Sequence, residues 1–86
     1  MVFKVFLTKK SERELDKLGR SDARQVLKRF LIITFPFPKN YDIDKFSGLE
    51  NSYRLRVGRV RVIMEVDRKR CEIWIRKVGY RGGIYK

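Results

Sequence analysis

The sequence predicts a small α+β domain: an antiparallel sheet with the element order β-α-α-β-β-β, an N-terminal helical hairpin on one face and a basic open face. Residues 53–64 read YRLRVGRVRVIM, where apolar residues and arginines alternate on either side of Gly58, as in two antiparallel strands joined by a turn. Upstream, apolar residues recur at helical spacing. The 86 residues have room for one domain, residues 1–86.

The N-terminal segment is predicted to be a strand followed by a short helix. Residues 2–7 read VFKVFL and are rich in the β-branched and aromatic residues that strands favour. Ser11 and Glu14 have the spacing of a capping box, and Leu15 and Leu18 supply a short apolar stripe ahead of Gly19. We therefore expect the first helix to begin near Ser11 and to end before Gly19.

A second helix is predicted to begin at Ser21, a favoured capping residue. Pro36 and Pro38 end it, because proline lacks the amide hydrogen that a helix needs. Its apolar positions recur at helical spacing and are Ala23, Val26, Leu27, Phe30 and Ile33.

Residues 35–50 are predicted to be a loop. It contains Asp42 and Asp44, but two carboxylates without further oxygen ligands make a poor metal site, so we interpret them as solvated charges.

The C-terminal half is predicted to be three consecutive antiparallel strands. The alternation places Tyr53, Leu55, Val57, Val60, Val62 and Met64 on one face. Arg54, Arg56 and Arg61 then share the other face, and the alternation selects these three over Arg59. A turn at residues 67–70 leads to a last strand, residues 71–78, which adds Trp74 or Arg76 to the open face.

The charge balance favours a polyanionic partner. The chain has 22 Lys and Arg against 10 Asp and Glu, a net charge of +12 and a pI of about 10.4. Its hydrophobic content of 43% is too high for a disordered basic tail. No apolar run approaches the roughly 20 residues that cross a bilayer, and the single Cys71 cannot form an internal disulfide, so we expect a cytoplasmic protein.

The residue types restrict the chemistry. The sequence has no histidine, the commonest general base and metal ligand. Arginine offers a planar fork of donors that fits a phosphate group, and four arginines within residues 54–61 exceed what protection of a sheet edge requires. An RNA substrate could supply its own 2′-hydroxyl nucleophile, and proton transfer would then fall to Tyr80, Tyr85, Glu65 or a basic residue.

These residues resemble a known family. The segments 53–58 (YRLRVG), 61–64 (RVIM) and 78–81 (VGYR), followed by Tyr85, are similar to the RelE/ParE toxin superfamily, above all to its RelE branch of ribosome-dependent mRNA interferases. The resemblance covers nearly the whole chain. It implies the toxin of a toxin-antitoxin pair, an endoribonuclease that cuts mRNA in the ribosomal A site by 2′-hydroxyl attack, without metal or cofactor.

The resemblance also implies site residues and partners. Arg54 and Arg56 stand where the bacterial enzyme has two lysines that take part in phosphate binding and catalysis, and arginine makes a lysine-type base less suitable. Arg61 and Arg81 match arginines that stabilise the transition state and position the substrate, and Tyr85 matches a C-terminal tyrosine with an acid-base or stacking role. The implied partners are a RelB-like antitoxin, the ribosome and mRNA, with no membrane and no DNA except through an antitoxin complex.

Two alternatives stay open on the sequence. A ParE-like toxin of the same fold would inhibit DNA gyrase and would not need the set Arg54, Arg56, Arg61, Arg81 and Tyr85. A non-catalytic RNA-binding or ribosome-binding module would show salt-sensitive RNA affinity without cleavage.

Overall fold

The structure of the chain is a computed structural model that describes residues 3–37, 39, 41–46 and 50–80. The elements in this part of the chain are β1 (Lys4–Leu7), α1 (Lys9–Asp16), α2 (Arg20–Ile32), β2 (Ile43–Lys45), β3 (Ser52–Val57), β4 (Val60–Asp67) and β5 (Glu72–Tyr80). The α+β fold with two N-terminal helices ahead of the main strands is therefore confirmed.

The sheet has five strands in the order β1-β5-β4-β3-β2. Strands β3 to β5 pair antiparallel as predicted, and β2 pairs antiparallel with β3. Strand β1 pairs parallel with β5, so the sheet is mixed and the prediction of an antiparallel sheet needs this correction. The Lys4 amide donates to the Cys71 carbonyl at 2.9 Å and the Thr8 amide to the Ile75 carbonyl at 3.3 Å. Parallel pairing is possible because two helices and three strands separate β1 from β5 in the chain, which is more than the long crossover that parallel strands require.

Strand β2 lies within residues 35–50, where a loop is predicted. It pairs with β3, with Ile43 opposite Leu55 and Asp44 opposite Arg54. Three residues are too few for an alternation to stand out in the sequence, and the pairing with β3 is what makes this segment a strand.

Helix α1 begins earlier than the capping box predicts. Thr8 is its N-cap, and its hydroxyl oxygen accepts a hydrogen bond from the Ser11 amide at 3.0 Å. Ser11 is fully buried within the helix, and its hydroxyl donates to the Thr8 carbonyl at 3.0 Å. Glu14 instead accepts a hydrogen bond from the Val78 amide of β5 at 3.0 Å, so this carboxylate joins helix to sheet.

The core lies between the helices and one face of the sheet. Buried apolar residues from the two layers form one cluster: Leu15, Leu18, Val26, Phe30, Ile33, Leu55, Val57, Val60, Val62, Met64, Val66, Ile73, Ile75 and Val78. Leu27 was predicted to lie on the apolar side of α2 but is 46% exposed. The buried residues of α2 are Val26 and Phe30. The opposite sheet face is therefore not covered by these helices.

None of the helices in residues 3–37 is long and apolar enough to cross a membrane.

Candidate functional site

The β3–β4 hairpin brings three arginines onto the open face of the sheet. Arg56 lies directly opposite Arg61, and Arg54 lies opposite Ile63. The alternate positions Leu55, Val57, Val60, Val62 and Met64 are all buried in the core. Since a slip of one residue would expose that whole apolar set, core burial fixes the register and with it the face on which the arginines lie. We call Arg54, Arg56 and Arg61 the arginine face.

The turn of this hairpin is Gly58 and Arg59. Gly58 has a φ of 59°, a conformation that is costly for residues with a side chain. The tight two-residue connection is what sets Val57 opposite Val60 and Arg56 opposite Arg61. Gly58 thus supports the site through the backbone.

Two members of the arginine face are paired with aspartates at the edge of the sheet. Arg54 Nη2 lies 2.9 Å from Asp44 Oδ2, and Arg56 Nη1 lies 3.9 Å from Asp42 Oδ2. Asp44 sits on β2 directly opposite Arg54, so the short strand that the sequence did not predict supplies the partner. The hydrogen-bonded pair with Asp44 holds Arg54 in place, and the longer contact with Asp42 offsets part of the charge of Arg56.

Arg61 is held by the backbone of its own turn. Its Nη1 donates to the Gly58 carbonyl at 2.9 Å and to the Val60 carbonyl at 3.1 Å. A guanidinium has five N–H donors, and within the described residues these bonds use only Nη1. Arg61 therefore keeps its full charge and an edge of the fork for a phosphate.

Arg59 belongs to a different cluster. Its Nε lies 3.1 Å from Asp22 Oδ2, which also accepts the Tyr80 hydroxyl at 2.9 Å. The Tyr80 oxygen in turn accepts the Gly19 amide at 2.9 Å, and the Arg59 guanidinium lies 5.3 Å from the Tyr80 ring centroid. These contacts join the hairpin turn, the start of α2 and the end of β5.

Arg81 and Tyr85, the other two predicted site residues, lie outside the described residues. Tyr80, weighed as an acid-base candidate, uses its hydroxyl in the contacts with Gly19 and Asp22. The catalytic roles of all five predicted site residues stay predictions.

One basic residue of the open face was missed by the sequence analysis. A β-bulge near Ile63 and Met64 pairs Lys77 with Ile63, while Ile75 pairs with Met64. Strict alternation would turn Lys77 toward the core, but the bulge at Arg76 brings Lys77 to the open face, where Lys77 and Arg54 flank Ile63 from its two sides. The signal was present, since the apolar spacing changes from two residues (Ile73 to Ile75) to three (Ile75 to Val78).

The open face also has an aromatic part. Trp74 stacks on Phe6 with ring centroids 5.0 Å apart and an interplanar angle of 22°, and its indole N–H donates to Glu72 Oε1 at 3.0 Å. Arg76 Nη2 lies 3.0 Å from Glu65 Oε1. Both Trp74 and Arg76, offered as alternatives by the sequence, thus contribute to this face.

The described residues contain no group of three or more histidines, cysteines or carboxylates placed to hold a metal ion. What the face does offer is a set of guanidinium donors at fixed positions. Such donors can hold a phosphodiester and stabilise charge that develops on it.

Solved structures of known proteins share this fold. The chain is similar to the archaeal RelE–RelB complex from Pyrococcus horikoshii, with 31% identity over 96% of this chain and 99% of the matched chain, at a TM-score of 0.78. For the RelBE2 toxin-antitoxin complex of Mycobacterium tuberculosis the identity is 20%, over 94% and 100% of the two chains, at a TM-score of 0.79. For the isolated Escherichia coli RelE toxin the identity is 18%, over 96% and 90%, at a TM-score of 0.75.

The last two similarities are at low identity and show the fold alone. No family model and no curated protein matches the chain.

Proposed function

The chain belongs to the RelE family of toxins, and on this basis we propose that it is a ribosome-dependent endoribonuclease, which cleaves mRNA in the A site and so inhibits translation. The observation that carries the proposal is the shared open face of Arg54, Arg56 and Arg61 in a chain of this family. By the same membership, its regulatory partner is a RelB-like antitoxin, as in the complexes it resembles.

The proposed reaction is an intramolecular attack by the substrate. The 2′-oxygen of the nucleotide attacks the adjacent phosphorus and loses its proton, and the bond from phosphorus to the 5′-oxygen breaks. The products are a 2′,3′-cyclic phosphate and a 5′-hydroxyl end, whose oxygen takes up a proton. The protein then contributes position, charge stabilisation and proton transfer.

The residues divide these tasks. Arg54 and Arg56 orient the phosphodiester, and Arg61 stabilises the negative charge that develops on its oxygens. By the family resemblance Arg81 positions the substrate or assists the leaving group, and Tyr85 transfers a proton to or from the reacting oxygens or stacks on a base. An arginine guanidinium stays protonated at physiological pH, so the arginine face is assigned no role as a base.

Purified protein and ribosomes programmed with a defined message test this function. We expect a cut inside the A-site codon that moves by three nucleotides when the message is advanced by one codon, and no cut in the free message. Primer extension maps the cut. Programmed ribosomes left intact would contradict the proposal, and full cleavage by both Arg81→Ala and Tyr85→Phe would remove those residues from the site.

The same protein preparation separates the alternatives. Inhibition of DNA gyrase supercoiling without RNA cleavage would favour the ParE-like function. Salt-sensitive RNA binding with no cut on translating ribosomes would favour the non-catalytic module.

A further inference from the structure

A cleft lies between α1 and the last residues of β5, on the side of the molecule where β1 has ended. It has a volume of about 350 Å³, near the lower end of the roughly 300–1,000 Å³ of small-ligand sites. Its walls combine lysines, one glutamate and apolar surface: Lys10, Lys17, Lys77, Glu14, Leu18 and Tyr80. We call it the lysine cleft.

The residues that line the lysine cleft carry more positive than negative charge. Lys10, Glu14 and Lys17 follow one another at four- and three-residue spacing and share one side of α1. Glu14, the carboxylate of the cleft, accepts the Val78 amide at 3.0 Å. No ion pair within residues 3–37, 39, 41–46 and 50–80 involves Lys10, Lys17 or Lys77, so the cleft has a net positive charge.

The cleft also has an ordered aromatic wall. The Tyr80 oxygen accepts the Gly19 amide and its hydroxyl donates to Asp22, both at 2.9 Å, and the residue is still 37% exposed. Leu18 is nearly buried beside it, at 9% exposure. Proteins that bind single-stranded RNA stack its bases on aromatic rings and bind its phosphates with nearby cations. Tyr80 and the lysines provide these two kinds of group.

Two residues of β5 connect the lysine cleft with the strand that carries Arg61. Lys77 lines the cleft and, through the β-bulge, pairs with Ile63 on the open face; Gly79 lines the cleft and pairs with Arg61. A side chain added at Gly79 would meet no atom of the described residues within 4 Å. The lack of a side chain at Gly79 therefore leaves open space at a position that lines the cleft and lies opposite Arg61.

We propose that the lysine cleft is a second RNA subsite, which binds a nucleotide adjacent to the phosphodiester on the arginine face. The assignment of RNA as the ligand rests on the proposed function. The lysine ammonium groups bind the backbone phosphate, and the Tyr80 ring and Leu18 receive the base. The subsite contributes affinity, while the arginine face carries the reaction.

The test uses the full chain and a fluorescent 2′-O-methyl oligoribonucleotide, which cannot be cleaved because its 2′-oxygen is blocked. Binding is followed by anisotropy at several salt concentrations. The double variant Lys10→Ala/Lys17→Ala is compared with Lys9→Ala/Lys28→Ala, which lowers the net charge equally but lies outside the cleft. We expect about tenfold weaker binding for the cleft variant and a salt slope reduced by about 0.7 per lost phosphate contact.

The control pair is expected to change affinity by less than about threefold, because it alters only the general field of the protein. Equal losses for both pairs, or no loss for the cleft pair, would overturn the proposal. A poly-glutamate peptide is the second ligand tested. If it bound as tightly as the oligoribonucleotide, and lost as much affinity in the Lys10→Ala/Lys17→Ala variant, the proposal would also be overturned, since the cleft would then select acidic chains in general. The binding assay does not measure cleavage. If binding depended on the cleft but the ribosome assay showed no cleavage, only the proposed function would be refuted.

Discussion

The arginine face and the lysine cleft are both basic, but they hold their charges differently. Arg54 and Arg56 pair with Asp44 and Asp42, and Arg61 bonds to backbone carbonyls of its turn. The lysines of the cleft have no ion pair in the described part of the chain. The arginine face is held and partly neutralised by these contacts, whereas no ion pair within the described residues holds the lysines of the cleft.

The difference suggests a division of labour. A side chain that is already held loses little conformational freedom when it binds, which suits a group that must meet a transition state at a fixed position. An unpaired ammonium group attracts a polyanion from a distance and releases counterions when it binds. We therefore expect substitutions in the arginine face to change reaction rate most, and substitutions in the lysine cleft to change affinity.

The largest effect is expected for Arg61→Ala. Loss of a positioned charge-stabilising donor typically lowers a rate by about 100- to 1,000-fold, and we expect a loss of this size in single-turnover cleavage on programmed ribosomes. Binding of the 2′-O-methyl oligoribonucleotide should fall only a few-fold. Arg61→Lys, which keeps charge but not the planar fork, should lie between Ala and the parent.

Arg70→Ala is the matched control for Arg61→Ala. Arg70 lies in the turn at the opposite end of β4, and its side chain is 77% exposed. Its guanidinium makes one long contact, at 4.0 Å, with the Asp67 carboxylate. The Arg70→Ala variant should cleave mRNA at the parental rate. If Arg61→Ala reduced affinity as much as it reduced rate, the division between positioning and attraction would be wrong.

The arginine face was predictable from sequence because its register has a strong physical cause. Leu55, Val57, Val60, Val62 and Met64 can all be buried together in one register only, so the faces of their neighbours follow.

Other parts of the site depend on tertiary contacts that alternation does not contain. The partner of Arg54 comes from β2, a strand of three residues that forms only through its pairing with β3. The lysine cleft exists because α1 packs beside the end of β5, with Glu14 bonded to Val78. The change in apolar spacing is enough to assign Lys77 to the open face. It does not show which residues lie next to Lys77 in the fold.

The next largest effect is expected for Gly58→Ala, which should lower the stability of the fold. A side chain in the left-handed conformation costs about 1–2 kcal/mol, and Gly58 has a φ of 59°, so we expect the free energy of unfolding to fall by about that amount. Gly79→Ala is the matched control on the side of the cleft, where an added methyl group meets no described atom within 4 Å. Its expected change is below about 0.5 kcal/mol.

Urea denaturation measures both glycine variants. A loss for Gly79→Ala equal to that for Gly58→Ala would show that the tight turn is not what sets the hairpin apart. With the expected result, the arginine face depends on a backbone constraint that the lysine cleft does not share.

The smallest effect is expected for Asp44→Asn, which would make the arginine face more like the lysine cleft. Asp44 lies 2.9 Å from the Arg54 guanidinium, and with the two side chains 58% and 26% exposed such a pair is worth about 0.2–1 kcal/mol. Releasing Arg54 from it should tighten binding of the 2′-O-methyl oligoribonucleotide by about two- to fivefold, with a steeper salt dependence. Asp16→Asn makes the same change in net charge at an exposed carboxylate of α1 and should tighten binding less. Equal gains for both variants would mean that RNA responds to the total charge, and that the pairing of Arg54 with Asp44 has no part in tuning the site.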